Sequence, residues 1–164
     1  MAMLPLVMLL VAFSGSQSST PGPSPNGSQA TTPANCPWLT EGSAARALGG
    51  DVNATAVVAS AQEGSCRFVR RNEPPDSLEV KVSRNVLPAC PAKSTPLTGI
   101  GNDAESCRIS GSHDERTEIV SGRVRDLYFA LALALHGQKR AAKSSDAQDD
   151  PLEQLAEQVA GNLF

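Results

Sequence analysis

Cys36, Cys66, Cys90 and Cys107 carry the most definite chemistry in this chain. They are separated by 30, 24 and 17 positions, and no two form a Cys-x-x-Cys pair. Zinc sites use closely spaced ligand pairs, and His113 and His136 stand apart from the cysteines in sequence, so this spacing does not suit a metal. An even number of cysteines behind an apolar leader suits two disulfides instead. Of the three connectivities open to four cysteines, we predict Cys36–Cys66 and Cys90–Cys107. The first joins the start of the first helix to the second strand. The second closes a loop rich in Pro, Thr and Gly.

The other chemically suggestive groups each have a plainer account. His113-Asp114-Glu115, with Glu118 nearby, has the composition of a metal or acid–base cluster. Gly111-Ser112 precedes it and places it on an exposed hairpin tip, where neither burial nor a close charge tunes a pKa. Ser110, Ser112 and His113 are close in sequence, but a catalytic triad is defined by spatial roles. Gly99-Ile100-Gly101 is a turn rather than a dinucleotide loop, because position 104 is Ala and a strand, not a helix, is predicted after it. Arg70-Arg71 and Lys139-Arg140 with Lys143 read as surface charge. Arg123 and Arg125 are two apart on a predicted strand, so they share one sheet face and are the candidate contacts for an anion or other small ligand. No catalytic residue, metal ligand or cofactor site is assigned.

These residues sit in a chain of net charge -3, with 4% aromatic residues and a pI near 5.4. The basic footprint and stacking platforms of a nucleic-acid binder are both missing, so no nucleic-acid partner is expected. Residues 1–16 read as a signal peptide: Leu4 to Phe13 is apolar and Ser14-Gly15-Ser16 supplies small residues for a cut, although Met1-Ala2-Met3 holds no Lys or Arg. A spanning helix needs roughly 20 apolar residues, so no stable membrane insertion is expected after cleavage. Residues 17–35 are Ser, Thr, Pro, Gly and Asn with little apolar content, the composition of a disordered tether. Asn26-Gly27-Ser28 and Asn53-Ala54-Thr55 match the glycosylation acceptor pattern but read as ordinary polar residues. Residues 36–164 suit one domain, placed in the periplasm or another extracytoplasmic space, or secreted.

The elements that position the cysteines and arginines follow from periodicity. Thr40 caps a short helix of Ala44, Ala45, Ala47 and Leu48, stapled by Leu39 and ended by Gly49-Gly50. The period then changes to two. Val52–Ser60, Cys66–Arg70 and Ser77–Ser83 read as strands, the last with Leu78, Val80 and Val82 on one face. Residues 84–96 read as irregular. Strands follow at about Ala104–Ile109, Thr117–Val124 and Leu127–Leu135, the last alternating Leu127, Phe129, Leu131, Leu133 and Leu135 toward the core. Asp150, Pro151 and Glu153 open a terminal helix with Leu152, Leu155, Ala156, Val159 and Leu163 at helical spacing. The expected fold is α+β: an antiparallel sheet of about six strands, an N-terminal and a C-terminal helix packed against it, and two disulfides.

Cys36-Pro37-Trp38-Leu39-Thr40, Ala44 to Gly50, Cys66-Arg67-Phe68 and Leu97-Thr98-Gly99-Ile100-Gly101-Asn102-Asp103-Ala104 together resemble a group of short exported bacterial domains of unknown function, many of them lipoproteins. That group is similar in outline to the PsbP-like α/β/α sandwich. The resemblance implies an exported domain and transfers no catalytic residue. No cysteine follows the leader closely, so the lipid anchor of the lipoprotein members is not implied here. The expected function is a non-catalytic binding or interaction domain for an unknown protein or small ligand. A small secreted enzyme of hydrolase type and a carrier of an apolar ligand between sheet and terminal helix are the alternatives.

Overall fold

The computed structural model describes residues 35–71, 73, 75–88, 90–91, 93–111, 115–137 and 150–164. The expected signal peptide at 1–16, and all but the last residue of the tether at 17–35, lie outside the described residues. Helix α1 spans Glu41–Leu48; seven strands follow, β1 Val52–Ser60, β2 Glu63–Arg70, β3 Ser77–Ser83, β4 Thr95–Leu97, β5 Asp103–Ser110, β6 Glu115–Val124 and β7 Leu127–His136; α2 is Pro151–Asn162.

The fold is α+β. The strands form one sheet in the order β1-β2-β3-β7-β6-β5-β4, with every neighbouring pair antiparallel. All six expected strands are present. The seventh, β4, lies in the stretch read as irregular. It is three residues long and carries Pro96, which lacks the N–H a central strand must donate; at the sheet edge that loss is tolerated.

Alternation sets the two faces. Leu127, Phe129, Leu131, Leu133 and Leu135 are all buried, and Phe129, Leu131 and Leu133 have no exposed surface. The register places Val80 and Val120 on either side of Leu131, so one apolar face runs through the sheet centre. Both helices bury Ala44, Ala47, Leu48, Leu155, Ala156 and Val159 in the same core as that face. The other face, called outer below, carries Glu79, Lys81, Tyr128, Ala130, Ser121 and Glu105, none of them fully buried.

Local chemistry fixes the helix ends. Thr40 accepts the Ser43 N–H, and Gly49 closes α1 in the left-handed conformation at φ 75°. Asp150 accepts the Leu152 N–H at 2.9 Å, and Pro151 occupies the first position of α2. Trp38, 1% exposed, donates its indole N–H to Ala61, and Asn162 donates to the Trp38 carbonyl, tying the end of α2 to the start of the domain. The cysteines join as expected, Cys36 to Cys66 and Cys90 to Cys107, with Cα separations of 5.8 and 6.4 Å.

Candidate functional site

Strand order makes the site. The chain leaves β3 at the sheet centre and next forms β4 at the far edge. The described residues of the crossing connection, 84–88, 90–91 and 93–94, therefore lie between the sheet centre and its far edge. The Cys90–Cys107 disulfide ends this crossing on β5, and Cys107 shares the outer face with Glu105 and Asp103. The crossing segment and the outer face enclose a pocket of about 450 Å³. Val86, Leu87, Pro88 and Ser94 line it from the crossing segment. Asp103 and Glu105 of β5, Ser121 and Arg123 of β6, and Tyr128 of β7 line it from the sheet.

The polar groups are not equivalent. Arg123 donates to Asp103 at 2.7 Å. That hydrogen bond, and then the charge of Asp103, raise the Arg123 pKa above its ordinary value. The Glu105 side chain makes no hydrogen bond or ion pair among the described residues. The pocket walls therefore carry two carboxylates and one guanidinium. The apolar wall contains Val86, 75% exposed, beside Leu87 and Pro88. Gly122 lies beneath: a Cβ there would approach Phe129 Cζ to 2.6 Å, so the close approach of strand and ring requires glycine.

Arg125 does not join Arg123. Strand β6 ends at Val124, and Arg125 enters the turn before β7 at φ 57°. Its guanidinium lies 5.5 Å from the Phe164 ring centroid, at the end of α2. Two-residue alternation fails there because the turn interrupts the strand. Of the two expected contacts, Arg123 alone lines the pocket.

Of the acidic run around His113, only Glu115 and Glu118 lie among the described residues, and these two do not share a site. His113 and Asp114 lie outside the described residues. Glu115 and Glu118 separate on opposite faces of β6: Glu115 Oε1 is 3.9 Å from His136 Nε2, while Glu118, 6% exposed, pairs with Arg108 at 3.2 Å and with Arg116. Among the described residues no group of three His, Cys, Asp or Glu side chains could hold a metal ion. A second pocket, about 380 Å³, opens between the inner ends of β4–β6 and the first turn of α2. Arg108 pairs there with Glu118 and, at 3.6 Å, with Asp150, and Lys93 and Glu153 also line it. Leu131, Leu133 and Val159, where a cleft between sheet and terminal helix would favour the carrier alternative, are fully buried and line neither of these pockets.

Sequence reasoning missed Asp76. It is 1% exposed, pairs with Arg70 at 2.7 Å and accepts the backbone N–H of His136 at 2.8 Å. His136 Nδ1 lies 3.8 Å from the same carboxylate. Asp76 thus fastens the ends of β2, β3 and β7. The sequence signal was a lone acid between Pro75 and an apolar strand, where an exposed loop residue would serve equally well.

No protein-family model, curated protein or solved structure matches this chain. Among the described residues no helix is long and apolar enough to cross a membrane.

Proposed function

We propose that this chain is a secreted or periplasmic, non-catalytic binding domain whose ligand occupies the pocket under the crossing segment. The observation that carries this is the Cys90–Cys107 disulfide, which fixes the pocket's non-strand wall to β5. A wall built from irregular backbone gains a defined position from such a staple, and a pre-formed pocket lowers the ordering cost of binding. Disulfides persist in oxidising compartments, which supports the extracytoplasmic location together with the apolar leader at residues 4–13. The Arg123–Asp103 ion pair and the carboxylate of Glu105 in the pocket orient a ligand.

The test is retention on immobilised protein. Ser121→Trp places a large ring in the pocket from the middle of β6. Components of the native envelope or medium held by the wild-type chain should elute from the Ser121→Trp column, with circular dichroism showing the sheet intact. Equal retention by both proteins would put the binding surface elsewhere.

A further inference from the structure

We infer that the pocket takes an organic ammonium ion on an apolar body, the chemistry shared by a lysine side chain and a free primary amine. The inference rests on the binding role proposed above.

Charge balance is the first observation. Asp103 and Arg123 neutralise each other at 2.7 Å. Glu105 is left, half-buried on the same wall and without a partner among the described residues. The cations that could have answered it are engaged or turned away. Lys81, on the outer face of β3, pairs with Glu79 at 3.1 Å. Arg84 donates to Gln62, and Arg125 lies over Phe164. Lys93 lines the other pocket. A partly buried carboxylate without a counter-charge loses solvation and gains nothing in return; a ligand cation reverses that balance.

The shape of the walls is the second observation. Tyr128 lines the sheet side directly opposite Arg123 in the register. Leu87 and Pro88 line the pocket from the crossing segment and suit an alkyl or aryl body. An anion would meet two carboxylates and one guanidinium already paired. A neutral apolar ligand would leave Glu105 desolvated.

Matched probes of one shape and three charges test this: benzylamine, benzyl alcohol and benzoate. Each is titrated into the full, disulfide-intact, ¹⁵N-labelled chain, with binding read at the amides of Glu105, Ser121 and Gly122. Nα-acetyl-lysine amide, added in a fourth titration, reports a lysine side chain as source. Benzylamine should bind about tenfold more tightly than the alcohol or the acid, the factor one charge-assisted contact supplies. In Glu105→Gln, benzylamine should fall to the affinity of benzyl alcohol while the melting temperature holds. Benzyl alcohol or benzoate binding the wild type as well as benzylamine would overturn the inference and leave the binding role standing. An unchanged preference in Glu105→Gln would overturn it too. If no probe moves the pocket amides, the binding role falls with it.

Discussion

Asp76 and Glu153 show how a single carboxylate acts differently according to what faces it. Asp76 is buried beside Arg70, and removing one member of such a pair strands the other charge. Asp76→Ala should therefore cost about 3 kcal/mol of stability, read by denaturant unfolding. A loss near zero would mean that Arg70 finds solvent without it. Glu153 sits in the first turn of α2, and its carboxyl is held above its ordinary value by burial first, then by Asp150 and Glu157, with Arg108 opposing. A carboxyl raised in the folded state is neutral in both states at low pH. It destabilises the fold as pH rises through the interval between its ordinary and its raised value. Glu153→Gln should therefore melt higher than wild type at pH 7, with the gap closing below about pH 4. The helix N-terminus favours an ionised carboxylate at this position, so the gain is small. A gap that does not change with pH would contradict this cause. The role of Asp76 was not legible from neighbouring residues. Asp76 meets His136 from 60 positions away, through the register of β3 against β7.

At the scale of elements, legibility followed the strength of local signals. The five apolar residues of β7 alternate without interruption, and the strand is found from Leu127 to His136. The caps of both helices lie where Thr40 and Asp150 place them. Asp150→Ala should lower stability by about 1 kcal/mol, because the Leu152 N–H then loses its acceptor. The Asp150–Arg108 pair adds little, since Arg108 is 65% exposed. An unchanged melting temperature would mean that the first turn of α2 contributes nothing. Strand β4 was illegible because three residues around a proline carry neither alternation nor propensity; pairing with β5 creates it. The Cys90–Cys107 loop is worth about 3 kcal/mol in the chain-entropy account. Replacing both cysteines by serine should remove stability on that order, leave the far-ultraviolet spectrum sheet-rich and abolish binding in the pocket. Retained binding would show that the wall positions itself without the staple.

For the whole molecule, order in the sheet governs function. Were β4 beside β3, the chain would turn back at once and the outer face would have no roof. The order β3-β7-β6-β5-β4 instead sends the chain across three strands, and Val86, Leu87, Pro88 and Ser94 close the pocket over the sheet. The sequence contains every residue of that pocket but no local sign of the crossing. That is why Arg123 was legible as a candidate while Glu105, Tyr128 and Leu87 were not. Both helices pack on the opposite face, so the outer face offers binding surface without disturbing the core. The central claim is the location of binding. The most direct measurement is a benzylamine titration of the full chain followed by amide shifts across all assigned residues. The account predicts saturable shifts at Glu105, Ser121 and Gly122, with Ala44 and Val159 on the helix side unmoved. Shifts centred on the first turn of α2, or spread over both faces, would contradict it.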